Sequence, residues 1–188
     1  MIHDFEIRTE DMPSKMHVLL EQYPREVWDQ HPGFKDRTQQ WLRAHQSFRM
    51  MAKSLEDDAE ALLDRSMDAK SYRSRLYRYG GTLIGNLQGH HAWEDHEYFP
   101  ELSSADDRFG LGLEILEKDH QDLDVVLKEF IAAGNRAFAV SDGDEQKFYD
   151  AVGEVHPIAE TIGRFLTRHL GDEEELAVPI ILHHRLRG

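Results

Sequence analysis

Histidine and glutamate recur in this sequence at a spacing that suits metal coordination. Six polar residues occupy positions on apolar helical stripes: His45, His90, Glu94, His120, His169 and Glu173. Residues i and i+4 share one face of an α-helix, so His90 and Glu94 point the same way, as do His169 and Glu173. An unpartnered carboxylate in an apolar interior is costly, so these side chains need a shared partner. A metal centre is such a partner.

The number of imidazoles and carboxylates predicts two metal ions rather than one. Two bridging carboxylates with two imidazoles for each ion supply four protein ligands to each of two divalent ions, and a bridging water or hydroxide adds a fifth. This nitrogen and oxygen ligation leaves an open position on each ion. It suits iron or manganese better than a closed tetrahedral zinc site.

Other interpretations of these residues stay open. A single histidine on an apolar face is usually a satisfied core residue, and a metal-free bundle could pair its histidines with carboxylates alone. His91 and Asp95 repeat the four-residue spacing but are rotated by about 100° from the main stripe. We therefore expect these two to be outer or surface groups. Glu174, beside Glu173, is a further candidate.

Composition excludes several other functions. The chain of 188 residues has 36 acidic and 22 basic residues, a net charge of −14, 12 histidines and no cysteine. Disulfides, thiolate zinc sites and cysteine-held iron–sulfur clusters are excluded. Negative charge disfavours nucleic acids and anionic membranes as partners. We find neither a signal peptide nor an apolar run long enough for a membrane span, so we expect a cytoplasmic protein.

Four long amphipathic patterns predict an all-α, antiparallel up-down four-helix bundle over residues 36–188, preceded by a helical or irregular arm over residues 1–35. The first helix begins near Asp36 or Thr38, the third ends near Gly134, and Pro157 kinks or interrupts the fourth. Glycines in the second helix lower its propensity and permit close approach of a neighbour; they are Gly80, Gly81, Gly85 and Gly89.

An internal repeat supports this architecture. Residues 90–100, HHAWEDHEYFP, align without gaps to residues 169–179, HLGDEEELAVP. Both begin with histidine, have an acid four residues later with a second acid next to it, and end with proline. His45 and His120 each open a similar stretch in the preceding helix. The repeat predicts two helical hairpins related by a pseudo-twofold axis.

The order His, His-x-x-x-Glu, His, His-x-x-x-Glu resembles the hemerythrin-like, or HHE cation-binding, family over residues 36–185. The resemblance implies a di-iron centre with an oxo or hydroxo bridge, and manganese or zinc as possible substitutes. The implied iron ligands are His45, His90, Glu94, His120, His169 and Glu173, with the glutamates bridging. Oxygen-carrying members have a second histidine on the third helix, where this chain has Leu116 and Asp124. Without that histidine, both irons are expected to have an open coordination position. The cluster-repair branch carries a cysteine that this chain lacks.

The resemblance implies a non-heme di-iron protein that binds or reacts with a small diatomic molecule or peroxide, such as O2, NO or H2O2, in an oxidative or nitrosative stress response. The alternative is a metal or gas sensor, or an iron-storage module, that acts through a redox or regulatory protein partner without turnover. The residues do not decide between enzyme and binding protein, and they name no catalytic group beyond the ligand set.

Overall fold

The computed structural model describes residues 5–141 and 143–186. The first four residues of the predicted arm, Asp142 and the last two residues of the predicted bundle domain lie outside this part. The described residues form helices and no strand, which confirms the all-α class. Three long helices are α2, Asp36–Leu63; α6, Gly110–Ala139; and α7, Glu145–His184.

A fourth long helical segment follows α2 in the chain and is built from three helices joined by two π-helical turns. We call the four long segments rods, and this one is the second rod. Its parts are α3, Ala69–Arg75; a turn, Leu76–Gly80; α4, Gly81–Trp93; a turn, Glu94–Tyr98; and α5, Phe99–Ala105. In the second turn the Phe99 amide donates to the Glu94 carbonyl. Pro100 follows and has no amide hydrogen to continue the ordinary ladder. Single π-turns inside α-helices are frequent at functional sites, and this one begins at Glu94.

Two predicted boundaries differ from the structure. Helix α2 begins at Asp36, one of the two predicted starts, but α6 continues past Gly134 to Ala139. Helix α7 neither ends nor restarts at Pro157, so the predicted interruption is wrong, while the alternative of a kink stays a prediction. Tertiary packing overrides the lost hydrogen bond and buries the neighbouring Ile158 and Ala159.

Contacts near one end of the rods favour the predicted up-down order. Arg75 donates to Asp58 at 2.7 Å, so the start of the second rod meets the end of α2. Arg73 donates to the Ala137 carbonyl at 3.0 Å, near the end of α6. Tyr72 packs against Phe148, near the start of α7, with ring centroids 6.1 Å apart. The helical bundle is confirmed, and the antiparallel order stays a prediction that these contacts support.

Two apolar clusters make up the core. One contains Phe48 and Leu166, and the other contains Trp41 and Leu176. His45 lies between Trp41 and Phe48 along α2, so the predicted site is located where the two clusters meet. This position surrounds polar groups with apolar side chains on both sides.

The predicted arm contains the helix α1, Arg25–Trp28, and a short 3-10 turn, Ser14–Met16. Its buried apolar side chains join the second cluster, beside the last turns of α7; they are Met12, Met16, Leu19 and Trp28. The boundary between arm and bundle stays a prediction. No helix in the described part of the chain has the length and apolar character needed to cross a membrane.

Candidate metal centre

Seven side chains from the four rods converge in two groups near the middle of the bundle. Within each group, one possible ligand atom per residue lies within 4.8 Å of all the others. The first group is His45, His90, Glu94 and Glu173, and the second is His91, His120 and His169. All six residues predicted from the sequence are among the seven.

The first group joins α2, α4 and α7. The Nε2 atoms of His45 and His90 are 2.9 Å apart, and His90 Nε2 is 2.8 Å from Glu94 Oε1. Glu173 Oε2 lies 3.4 Å from His45 Nε2. Two imidazole nitrogens and two carboxylate oxygens therefore face one small volume.

The second group contains His91, the one member that was not among the six predicted ligands. His91 is 5% exposed, and its ring stacks on His120 with centroids 3.9 Å apart and planes 7° apart. His120 Nε2 is 3.1 Å from His169 Nε2. His91 is thus an inner residue of the cluster, whereas the sequence predicted an outer or surface group. The signal that pointed to it was the His91–Asp95 spacing.

Both glutamates of the first group also face histidines of the second group. Glu94 Oε1 is 3.8 Å from His45 Nε2, and its other oxygen, Oε2, is 3.8 Å from His120 Nε2. Glu173 Oε2 is 3.4 Å from His45 Nε2 and 3.9 Å from His169 Nε2. Both residues are fully buried. This is the placement that a carboxylate needs in order to bridge two ions.

The polar atoms at the centre lack partners that the described residues could supply. Glu94 Oε2, both carboxylate oxygens of Glu173 and His91 Nε2 are buried without a hydrogen bond within the described ranges 5–141 and 143–186. Buried polar groups are nearly always satisfied, and carboxylates in particular are paired or bind metal. The seven side chains therefore fit a pair of divalent cations.

The electrostatics agree with this fit. Burial raises the pKa of the Glu173 carboxyl well above its usual range, and the nearby Glu94 carboxylate raises it further. Burial lowers the pKa of His169 to about 4 and holds that of His91 well below its usual value. Neutral imidazole is the form that binds metal, so these histidines are prepared for it at neutral pH.

Three outer carboxylates orient the histidines through their Nδ1 atoms. His45 Nδ1 lies 3.1 Å from Glu174, and His169 Nδ1 lies 3.4 Å from Asp119. His120 Nδ1 lies 2.7 Å from Asp95. A carboxylate that accepts the Nδ1 hydrogen leaves Nε2 free for a metal, and this arrangement is typical of metal-binding histidines. Asp95 and Glu174 therefore lie in the outer layer.

These contacts also follow the predicted repeat. The acid after Glu94, which is Asp95, contacts His120 of the other hairpin, and the acid after Glu173, which is Glu174, contacts His45. The His45–His90 and His120–His169 pairs have similar ring geometry, with centroids 4.9 and 4.8 Å apart and planes at 79° and 72°. The geometry favours two pseudo-symmetric hairpins.

Aromatic side chains close the centre from both core clusters. Trp41 Nε1 donates to Glu94 Oε1 at 2.6 Å. Three phenylalanine rings lie near the histidines, with centroid distances of 5.1 to 5.7 Å: Phe48 at His90, Phe99 at His120 and Phe165 at His169. Apolar walls of this kind exclude water and strengthen electrostatic interactions inside.

Comparison with known families agrees with the geometry of this centre. The family model described as hemerythrin HHE cation binding domain matches residues 23–181. Comparison with curated proteins and with solved structures gave no match. The match covers most of the chain, including all seven residues of the centre and α1 of the predicted arm. The chain therefore belongs to the hemerythrin HHE cation-binding domain family.

Proposed function

We propose that this chain binds two iron ions, one in each group, with Glu94 and Glu173 shared between them. The observation that carries the proposal is the position of these two buried carboxylates, whose unpartnered oxygens lie between two sets of converging imidazoles. Nitrogen and oxygen ligands in this number suit iron or manganese, and zinc is a possible substitute.

The two metal positions differ in their histidines. His45 and His90 would hold one ion, while His91, His120 and His169 would hold the other. The first position has fewer protein ligands and therefore more open coordination sites. A fifth imidazole from α4 takes the place of the histidine that α6 lacks, so we place a small ligand at the His45–His90 position.

We propose that the reduced centre binds or reacts with O2, NO or peroxide, in an oxidative or nitrosative stress response. Ferrous iron, when bound, supplies electrons and an open coordination position for such molecules. The protein's own part is to hold the ligand atoms and exclude water. Phe48 and Phe99 close the site, and the Trp41 N–H holds one Glu94 oxygen in place.

A second candidate is a metal or gas sensor that acts through a protein partner. The observation that favours it is the contact between the N-terminal arm and the outer carboxylates, which links the centre to the protein surface. Arg8 donates to Asp119 at 2.7 Å, and Arg25 donates to Glu174 at 2.8 Å.

Metal analysis tests the di-iron proposal. The purified chain, loaded anaerobically with Fe²⁺, should hold about two iron ions, and Glu94→Ala or Glu173→Ala should reduce this below about half an ion. Less than half an ion in the wild-type chain, unchanged in both variants, would contradict it. The reduced protein is then exposed in turn to O2, NO and H2O2. Repeated consumption indicates catalysis, and a stable reversible adduct indicates binding or sensing.

A further inference from the structure

Arg8, from the predicted arm, contacts the carboxylate that orients His169. Its Nε and Nη2 atoms donate to the two oxygens of Asp119, at 3.2 and 2.7 Å, and Nη2 also donates to Asp172 at 2.6 Å. Asp119 is 1% exposed, and its Oδ2 lies 3.4 Å from His169 Nδ1. A two-point contact of this kind fixes the orientation of the carboxylate as well as its charge.

Arg25, in α1, makes the corresponding contact on the other group. Its Nη1 donates to Glu174 Oε2 at 2.8 Å, and its Nε donates to Glu175 at 2.9 Å. The other oxygen of Glu174 lies 3.1 Å from His45 Nδ1. One arginine of the arm thus contacts one outer carboxylate in each group, Asp119 in the second and Glu174 in the first.

The chain between these two arginines is fixed to the bundle. Met12, Met16 and Leu19 are each at most 3% exposed and pack with the last turns of α7. Residues 8–25 therefore form a strap across the bundle, with an arginine on each side and apolar anchors between them.

We propose that Arg8 and Arg25 are positioning residues for the metal centre, and that the strap slows the release of metal by holding Asp119 and Glu174 on His169 and His45. This inference rests on the proposed function, because it needs a metal at these histidines. The outer partners of metal-binding histidines typically change metal affinity by about 10–100-fold when they are removed.

The two carboxylates that the strap contacts, Asp119 and Glu174, each also have an arginine from the bundle itself. Arg168 is 3.3 Å from Asp119, and Arg49 is 2.8 Å from Glu174. When one strap arginine is lost, its carboxylate still pairs with the arginine of the bundle. We therefore expect metal binding to weaken by about tenfold, near the lower end of that range.

Coupling of this kind is reciprocal. If the strap strengthens metal binding, bound metal must stabilise the strap by the same free energy. Backbone amides of the strap should then exchange with solvent more slowly in the metal-loaded protein than in the metal-free protein.

The test measures the rate at which Fe²⁺ passes from the anaerobic, metal-loaded full chain to an excess of a ferrous chelator. Arg8→Gln and Arg25→Gln should each release metal about ten times faster than the wild type. Arg136→Gln is the matched control, because Arg136 also contacts two carboxylates, Glu129 and Glu154, but lies far along the bundle from the centre. Its release rate should match the wild type.

Double variants separate positioning from general destabilisation. Arg8→Gln should have no further effect in an Asp119→Ala background, because the acceptor oxygens of Asp119 are already lost, and it should keep its tenfold effect in a Glu174→Gln background. Arg8→Lys keeps the charge but loses the two-point contact, so it should restore the slow release only in part.

The strap proposal would be overturned if Arg8→Gln and Arg25→Gln released metal at the rate of Arg136→Gln while the wild type held two metal ions. That result would leave the proposed metal site intact. Equal effects of Arg8→Gln in all backgrounds would also overturn it, since they indicate general loosening. A wild-type chain that binds no metal would instead refute the proposed function on which the inference rests.

Discussion

At the level of single residues, His90 and His91 are neighbours whose imidazoles meet different helices. His90 Nε2 is 2.9 Å from His45 of α2, whereas the His91 ring stacks on His120 of α6. One residue turns an α-helix by about 100°, which is enough to separate the two contacts. The repeat concealed His91, because it aligns His91 with the apolar Leu170.

Replacing His91 tests its place in the second group. His91→Ala should reduce bound iron from about two ions per chain to about one, because it removes one of the three imidazoles at that position. Metal analysis and ligand-field spectra measure the loss. His96→Ala is the control, since His96 is exposed and its Nδ1 contacts the Ala92 carbonyl rather than the centre. Full occupancy in His91→Ala would return His91 to the outer or surface role expected from the sequence.

At the level of elements, the glycines of the second rod do not share one explanation. A Cβ atom on Gly80 would lie 3.4 Å from the Phe130 ring, so a neighbour approaches closely there. At Gly81, Gly85 and Gly89 a Cβ atom would meet nothing within 4 Å. Close approach of another helix is therefore the wrong explanation for these three. The tightest glycine is Gly112 of α6, where a Cβ would lie 2.8 Å from Leu176 Cδ2 and 3.0 Å from Met16 Sδ.

Two alanine substitutions should change stability in opposite directions. Gly112→Ala forces Leu176 and Met16 to move, and it should lower the free energy of unfolding by about 1 kcal/mol. Gly85→Ala occupies open space on an exposed helical position, and it should raise the same free energy by up to about 1 kcal/mol. Urea unfolding of the metal-free proteins measures both. A stabilising Gly112→Ala would show that α6 and α7 are not closely packed at this point.

At the level of the whole molecule, the core contains two carboxylates with three oxygens that have no hydrogen-bond partner among the described residues, Glu94 Oε2 and both oxygens of Glu173. Glu94 and Glu173 are fully buried between two apolar clusters, and burial together with the nearby Glu94 carboxylate raises the pKa of Glu173, so the ionised form of Glu173 is strongly disfavoured in the fold. A buried group of this kind destabilises the fold unless a cation compensates it. The molecule therefore gives up stability in its metal-free form, and metal binding should recover it.

Glu173→Gln should weaken metal binding and raise the stability of the metal-free protein. At neutral pH the unfolded chain carries an ionised Glu173, and the metal-free fold must either bury that charge or take up a proton, both of which cost free energy. The neutral amide has neither cost and can donate to Glu94, so the free energy of unfolding should rise by about 1–3 kcal/mol. Metal should stabilise only the wild type, by about 2.7 kcal/mol when free metal is a hundredfold above its Kd. Urea unfolding with and without Fe²⁺ measures both effects.

Glu160→Gln is the control, because Glu160 lies on the surface of α7 and pairs with the exposed Arg164 at 3.4 Å. Its stability should stay within about 0.5 kcal/mol of the wild type. A metal-free Glu173→Gln protein less stable than the wild type would contradict the interpretation of Glu173 as a destabilising group.

Local pattern was sufficient for much of this molecule. Apolar residues at helical spacing predicted the helices, and a polar residue on an apolar stripe must find a partner wherever the helix packs. His45, His90, Glu94, His120, His169 and Glu173 were found in this way, and the structure brings all six together. Their metal ligation remains a proposal.

Contacts between distant segments could not be predicted, because they depend on how the helices are rotated and on which segments cover them. The place of His91 in the cluster depends on the tertiary structure, because it is the packing of α4 on α6 that puts His120 against its ring. Likewise, Arg8 and Asp119 are 111 residues apart, and no local pattern relates them. The arrangement of helices therefore determines the fifth histidine and the strap, since both arise from packing between elements rather than from periodicity within one.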